Sequence, residues 1–139
     1  MTSVAGESGI QEEVLSRKGE WTIYAGMDAT GSDLVYCVAE RNVDGNLVRI
    51  GTDEGQWQLA VPAGADLESG FEIERGRLPL SGTTANGWTI GWLTLPELEA
   101  ISESSWLEVM RGEFPVQHDL STVGEAIAGV ESCSVGLHM

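Results

Sequence analysis

The sequence predicts a mainly β protein, either an antiparallel β-sandwich or a flattened barrel, with two helices. Three observations indicate this fold: a high glycine content of 18 in 139 residues, short segments of alternating apolar and polar character, and turn segments rich in Gly, Asp and Asn. The turn segments leave only a few residues between the predicted strands, and such short connections favour antiparallel pairing of successive strands. We therefore expect a single β-rich domain over residues 19–139, preceded by an N-terminal tail or short helix over residues 1–18.

The central stretch, residues 20–62, predicts four successive strands at 20–27, 34–41, 47–51 and 56–62. Their connections carry the turn segments DATGSD, NVDGN and TDEG. Two of the strands have apolar side chains at alternate positions: Trp21, Ile23, Ala25 and Met27 in the first, and Trp57, Leu59 and Val61 in the last. One side of the sheet is therefore apolar, and other parts of the chain must cover it.

Two helices are predicted from N-capping signals. Thr94 and Glu97 have the spacing of a capping box, and Thr122 and Glu125 repeat that spacing near the C-terminal end. The two signals predict a short helix over about 95–103 and a C-terminal helix over about 122–131. We expect the C-terminal helix to cover the apolar side of the sheet.

The charge of the chain narrows its range of partners. Twenty-two acidic and seven basic residues give a formal net charge of −15. Such a field repels phosphate backbones and anionic headgroups, so nucleic acid is not an expected partner. A run of eighteen consecutive apolar residues is absent, so no membrane-spanning segment is expected. The sequence does not indicate an oligomeric state.

The first ten residues, MTSVAGESGI, lack the basic and apolar regions of a secretory signal. Two interpretations follow from this. Either the protein is cytoplasmic, or it is an exported protein whose given sequence starts at the mature end.

The two cysteines, Cys37 and Cys133, lie 96 positions apart and form no Cys-x-x-Cys motif. A zinc or thioredoxin-type site is therefore not expected. The residues alone leave two possibilities open, namely two buried free thiols or one long-range disulfide. In the chain-entropy model, closing so long a loop stabilises a fold by about 4 to 5 kcal/mol.

Few residues suggest catalysis or metal binding. His118 is followed by a carboxylate at Asp119, and an Asp-oriented imidazole can act as a base. The Gly-x-Ser-x-Gly nucleophile motif is absent, so a hydrolase is only a remote alternative. The acidic loop DATGSD lacks the spacing of a calcium loop and is better interpreted as a hydrated turn. We expect no metal and no cofactor.

Tryptophan is the most informative of the remaining residue types. Trp88 and Trp92, with Ile90 between them, share one face of a predicted glycine-containing strand. Packing in the core is the simpler interpretation of such residues. The alternative is that Trp88, Ile90 and Trp92 contact a partner or line a ligand cavity, and they are our candidate binding residues.

The order of elements in the second half of the chain is distinctive. A strand is followed by TLPELEAISES, SWLEVMRG, EFPVQHDLS and TVGEAIAGVESC. Together with Trp21 opening the first strand, Cys37 in the second, and the closing residues Leu120, Ser121, Gly124, Ala126 and Cys133, this resembles the invasion-associated locus B family of small secreted or periplasmic proteobacterial proteins. The resemblance implies an exported β-sandwich or flattened barrel with a C-terminal helix. It also implies a Cys37–Cys133 disulfide and supplies no catalytic residues.

These observations lead us to expect a non-enzymatic protein-binding module in the periplasm or outside the cell, with a cytoplasmic location as the alternative. A second hypothesis is a carrier for a small apolar ligand, which should have a cavity of at least about 300 Å³ lined by Trp88 and Trp92. A binding module should instead show an exposed apolar patch. A hydrolase requires a nucleophile about 3 Å from His118.

Overall fold

The computed structural model describes residues 4, 9–31, 33–53, 55–67 and 71–136. The strands lie at β1 (Gln11–Lys18), β2 (Trp21–Met27), β3 (Leu34–Val43), β4 (Asn46–Asp53), β5 (Gln56–Pro62), β6 (Phe71–Ile73), β7 (Gly76–Leu78), β8 (Ser81–Ala85), β9 (Trp88–Leu93), β10 (Trp106–Arg111) and β11 (Phe114–Asp119). The helices are α1 (Leu95–Ser102) and α2 (Val123–Gly136). The fold is mainly β, as predicted.

The strands form two antiparallel sheets. The first has the order β1-β2-β3-β4-β5-β9-β8, and the second has the order β11-β10-β6-β7. Strands β2 to β5 are the four strands predicted from the central stretch, each paired with the next along the chain. Short connections therefore produced antiparallel neighbours, as expected.

One face of the first sheet, which we call the inner face, is buried in the main core. The predicted apolar positions of β2 and β5 lie on this face, including Trp21, Ile23 and Leu59. Helix α2 packs against β1 to β4 and adds Val123, Ile127 and Val130 to the same cluster. The indole nitrogen of Trp21 donates to the carbonyl of Ser121 at 2.9 Å, just before the helix. The last helix therefore covers the apolar side of β1 to β4, as predicted, and the second sheet contributes to the same core.

A disulfide joins α2 to the inner face. Cys37 on β3 pairs with Cys133 on α2, and their Cα atoms lie 6.1 Å apart, within the usual range for a bridge. Of the two possibilities that the sequence left open, the structure has the bridge. The covalent bond holds the helix against the strand that it covers.

The two sheets form a sandwich-like arrangement, and the alternative of a closed barrel is wrong. The end strands of the first sheet, β1 and β8, are not paired with each other among the described strands. Both strands expose most of their side chains, so neither has an apolar face that closure would bury. The second sheet contributes Phe71, Leu107 and Val109 to the core beside the first sheet.

The prediction of a tail or short helix over residues 1–18 is wrong for its second half. Residues 11–18 form β1, which pairs antiparallel with β2. The register shifts between Val14 and Ser16, so Leu15 interrupts the alternation of side chains. Ile10, Val14 and Leu15 have the spacing of a helical stripe, which is why the sequence suggested a helix here. Residues 1–3 and 5–8 lie outside the described residues.

Both predicted helices are present, and only the first has the predicted cap. The amide of Glu97 donates to the Thr94 hydroxyl at 3.3 Å, and the Thr94 amide donates to the Glu97 carboxylate at 2.9 Å. Thr122 instead has a φ of 60°, and its hydroxyl donates to the Ser121 carbonyl. The second capping box is therefore not formed, and α2 extends to Gly136, beyond the predicted end near residue 131.

Candidate functional site

The opposite face of the first sheet, which we call the outer face, is also partly buried. Because side chains alternate along a strand, Tyr36 and Val38 on β3 point away from the main core. Both are nonetheless buried, in a second apolar cluster. The Tyr36 ring packs so closely over Gly26 that a Cβ at that position would lie 2.5 Å from a ring atom. The sheet is therefore packed on both sides near its middle.

Arg49 on β4 occupies the centre of the outer face and is only 8% exposed. Its guanidinium donates two hydrogen bonds to the Glu12 carboxylate, at 2.6 and 2.8 Å. It also donates to Glu40 at 3.0 Å. Paired hydrogen bonds between a guanidinium and a carboxylate combine charge with fixed geometry. One buried cation is thus held by two carboxylates from β1 and β3.

Aromatic rings surround the same guanidinium. Its central carbon lies 5.1 Å from the centroid of the Trp88 ring and 5.8 Å from that of the Tyr24 ring. At these distances the cation is attracted to the ring faces. The Tyr36 hydroxyl completes the cluster by donating a hydrogen bond to Glu12.

The cluster keeps its charges at neutral pH. Burial acts to raise the pKa of Glu12, but its hydrogen bonds to Arg49 and Tyr36 and the charge of Arg49 lower it on balance. Burial acts to lower the pKa of Arg49, and the two carboxylates raise it above its ordinary value. Burial and the hydrogen bond to Glu12 both raise the pKa of Tyr36. The guanidinium and the Glu12 carboxylate therefore stay ionised, and the phenol stays neutral.

The three candidate binding residues lie on the outer face of β9 but in different surroundings. Trp88 stands against Arg49. Ile90 is buried and packs with Ala60. Trp92 is half-buried and borders a groove at the end of the strand. The three residues share one face of β9, as predicted. Trp88 belongs to the Arg49 cluster, however, and Trp92 belongs to the groove.

The groove has a volume of about 490 Å³ and lies where β5 and β9 meet the start of α1. Trp57, Pro79 and Trp92 line it, and Leu95 of α1 stands beside them with 71% of its surface exposed. The groove is open to solvent. Glu97 contributes a carboxylate to its rim.

His118 and Asp119 do not form the predicted pair of base and orienting carboxylate. Asp119 accepts hydrogen bonds from Arg41 at 3.1 Å and from the Ser121 amide at 2.7 Å. The His118 ring is 1% exposed, and neither of its nitrogens has a hydrogen-bond partner among the described residues.

The pKa of His118 lies well below its ordinary value. Burial and the positive charge of Arg111 lower it to about 4, and nearby backbone groups of Asn46 and Leu47 offset this only in part. The ring therefore stays neutral at physiological pH. It borders a pocket of about 340 Å³ that is also lined by Trp106 and Ser121.

Within the described ranges, no group of three or more His, Cys, Asp or Glu residues could hold a metal ion. In the loop after β2, the Asp28 carboxylate accepts hydrogen bonds from the amide and hydroxyl of Thr30, at 3.1 and 2.7 Å. This is the local bonding expected of a turn.

Sequence reasoning missed the Arg49 cluster. One signal for it was present, because Arg49 interrupts the apolar run of β4 and a charge in such a strand is expected to be buried and paired. Its partner Glu12 lies 37 positions away on a strand that was not predicted. The pairing of Arg49 with Glu12 therefore could not be predicted from local sequence patterns.

Comparisons with protein-family models, curated proteins and solved structures found no match. In the part of the chain that the structure describes, no helix is both long enough and apolar enough to cross a membrane. The function is therefore inferred from the geometry of this chain alone.

Proposed function

We propose that this protein is a non-enzymatic, extracytoplasmic binding module that takes an extended segment of a partner protein in the groove beside Trp92. The observation that carries the proposal is the groove itself, which is open, about 490 Å³ in volume, and walled by Trp57, Pro79 and Trp92. An exposed apolar residue, Leu95, extends this surface onto α1. Concave surfaces lined by aromatic side chains with a few polar groups are typical of binding sites.

The residues of the groove suit recognition of a polypeptide. Tryptophan offers a large, rigid contact area and is enriched at the energetic centres of protein interfaces. Trp57 is held in the core and Pro79 has a restricted backbone, so these walls lose little freedom on binding. A groove that is open to solvent can take one part of a longer chain.

Charge defines the chemistry of the partner. The chain carries a formal net charge of −15, and Glu97 stands at the rim of the groove. Such a field attracts cationic segments and repels anionic ones. We therefore expect a segment with apolar side chains for the Trp92 wall, flanked by basic residues.

The disulfide supports a location outside the cytoplasm. Structural disulfides persist in oxidising compartments and are rare in the cytosol. The Cys37–Cys133 bridge, together with the order of elements, also supports kinship with the invasion-associated locus B family, which forms part of this proposal. A periplasmic or secreted protein would fit both features.

The two alternative functions have less support from the geometry. A carrier would hold its ligand between Trp88 and Trp92, but Trp88 stands against Arg49 and the buried Ile90 lies between the two rings. A hydrolase would place a nucleophile and an orienting carboxylate at His118, whereas Asp119 bonds Arg41 and Ser121.

The proposal is tested by selecting peptides from a random library on the full chain and measuring the best of them by calorimetry. Trp92→Ala should weaken binding by at least about tenfold, because it removes the central wall of the groove. The matched control is Phe114→Ala, which removes an exposed aromatic ring outside the described lining of the groove and should leave affinity within about twofold. Equal affinities for the two variants would contradict the proposal.

A further inference from the structure

The two sheets have four end strands, and these strands differ in how well they are protected from further pairing. They are β1 and β8 in the first sheet and β11 and β7 in the second. An end strand presents a row of unpaired backbone amides and carbonyls to which another strand can bind. Charged side chains, proline, bulges and very short strands are the features that discourage such binding.

Three of the four end strands carry these features, and β8 carries none of them. Strand β1 has four charged side chains and a bulge. Strand β7 is only three residues long, and β11 contains Pro115. Strand β8, with the sequence SGTTA, has no charge and no proline, and its register with β9 is continuous. Among the described strands, β8 therefore offers the edge that is most open to a further strand.

A tight hairpin holds this edge in a defined position. Asn86 and Gly87 connect β8 to β9, and both have positive φ angles, of 55° and 82°. A two-residue Asn-Gly loop of this kind matches the twist of paired strands and fixes their register. All five residues of β8 are paired with β9. A segment that pairs with β8 would therefore meet a strand that is already ordered.

The edge of β8 begins at the groove beside Trp92. Ser81, the first residue of β8, is the cross-strand partner of Trp92 and lines the same groove. Strand β9 is paired on both sides, with β5 and β8, so the unpaired backbone groups next to the Trp92 wall are those of β8. Directly opposite residues share one face of a sheet. A residue added opposite Ser81 would thus direct its side chain to the face that carries Trp92.

We propose that the partner segment binds as a further strand of the seven-stranded sheet, paired with β8, while its side chains on one face enter the groove. This inference rests on the proposed function and adds how the segment is held. Backbone pairing at a sheet edge supplies affinity, and pockets for alternate side chains supply specificity. The segment contains no proline over the paired stretch, because proline lacks the amide that pairing requires.

Charge favours a segment of another protein over a second copy of this chain. Two copies would each bring a formal net charge of −15 to the shared edge, and their repulsion opposes pairing. Strand β8 itself carries no charged side chain. Basic residues that flank the paired stretch are attracted by the field of the whole protein. The ligand is therefore an extended, proline-free segment with basic flanks and an apolar residue facing Trp92.

The first test uses a peptide selected from a random library on the full chain, with each backbone amide methylated in turn. Along a paired strand, the amides of successive residues point to opposite sides. Methylation should therefore weaken binding by at least about tenfold at alternate positions and by less than about threefold at the positions between them, as measured by calorimetry. A peptide held by its side chains alone would show no such alternation.

The second test places proline in β8, as Thr83→Pro and as Thr84→Pro. One of these two amides faces β9 and the other faces the open edge. Proline at the outward position removes no bond of the sheet, so that variant should keep its unfolding midpoint and still bind the peptide at least about tenfold more weakly. The matched controls Thr83→Ala and Thr84→Ala keep both amides and should leave affinity within about twofold. Circular dichroism checks that each variant is folded.

The results separate this inference from the proposed function. Weaker binding to Trp92→Ala, with no alternation in the peptide and no loss in the folded proline variant, would overturn pairing with β8 and leave the groove as the site. Weaker binding to the proline variant alone would support pairing and contradict the groove. Failure to select any peptide would overturn both.

The choice of occupant is tested by sedimentation. We expect the wild-type chain to be a monomer in the absence of peptide. A wild-type dimer that dissociates in the folded proline variant would overturn the proposal, because a second copy of this chain would then occupy the edge of β8.

Discussion

The two faces of the seven-stranded sheet differ in their residue types and in the interactions that hold them. The inner face is apolar, and helix α2, the second sheet and the Cys37–Cys133 bridge cover it. The outer face is centred on an ionised arginine with two carboxylates, and aromatic rings and a buried glutamine surround it. One face is closed by covalent and apolar contacts, and the other is organised by directional hydrogen bonds.

This difference suits the inner face to stabilising the fold and the outer face to recognising a partner. Apolar burial is non-directional and contributes most of the favourable free energy of folding. Hydrogen bonds and ion pairs contribute less net stability, but their fixed geometry can distinguish one bound segment from another. The groove proposed as the binding site has one wall on each face, with Trp92 on the outer face and Trp57 on the inner face.

The largest effect is expected from breaking the covalent link of the inner face. The double substitution Cys37→Ala and Cys133→Ala should lower the free energy of unfolding by about 4 to 5 kcal/mol, because the bridge closes a loop with a sequence separation of 96. Urea unfolding measures the loss. A thiol count on the unreduced wild-type protein should find no free thiol, and a count of two would contradict the bridge.

The corresponding substitution on the outer face is Arg49→Met. It should lower the free energy of unfolding by about 3 to 5 kcal/mol, because it leaves the partly buried carboxylates of Glu12 and Glu40 without their cation. Replacing all three residues together, with Glu12→Gln and Glu40→Gln added, should restore most of the loss. Denaturant unfolding of both variants tests this, and a loss below about 1 kcal/mol for Arg49→Met would show that the cluster is solvated.

A smaller effect is expected from acid acting at His118. Its pKa in the folded protein is about 4 and its ordinary value is 6.5, so the folded state favours the neutral ring. The stability from this difference is complete above about pH 6.5 and is lost as the pH falls towards 4, by about 3 kcal/mol in total.

The test for His118 compares unfolding of the wild type and His118→Gln at pH 7 and pH 4. Carboxylates titrate in both proteins, so the difference between them isolates the histidine. We expect the wild type to lose more stability than the variant over this range. Equal losses would contradict a neutral, buried imidazole.

Glu12 also links stability to pH. Its pKa is lowered in the folded protein, so the stability that its carboxylate contributes is lost as the pH falls below about 4.5.

The smallest effect is expected at the start of α1. Thr94→Ala removes the hydroxyl that accepts from the Glu97 amide and should lower the free energy of unfolding by about 1 kcal/mol. Thr83→Ala, on the exposed strand β8, is the control and should change stability by less than about 0.5 kcal/mol. Equal effects at the two sites would show that the capping box does not stabilise the helix.

The inner face could be predicted from the sequence because its signals are local. Trp21, Ile23 and Ala25 alternate within one strand, and the Thr94–Glu97 spacing marks a helix start within four residues. These patterns need no knowledge of distant contacts. The Cys37–Cys133 disulfide was harder to predict from the residues alone, because two cysteines so far apart in the sequence are equally compatible with free thiols.

The outer face could not be predicted for the opposite reason. Arg49 is paired with Glu12 across 37 positions, and Val4 meets Gln58 across 54. The apolar residues Val14 and Leu15 at the bulge have helical spacing with Ile10. The strand β1, which carries Glu12, was therefore not predicted. The uninterrupted apolar run of β3 was a usable signal, because burial on both faces produces such a run.

The central claim is that a partner segment binds in the groove beside Trp92, and the five tryptophans distinguish this groove from the rest of the protein. Their indole N–H signals can be followed by nuclear magnetic resonance while a peptide selected on the full chain is added. We predict that the signals of Trp57 and Trp92 shift, and that those of Trp21 and Trp106, which lie in the core and at the His118 pocket, do not. The largest shift at Trp21 or Trp106 would contradict the account.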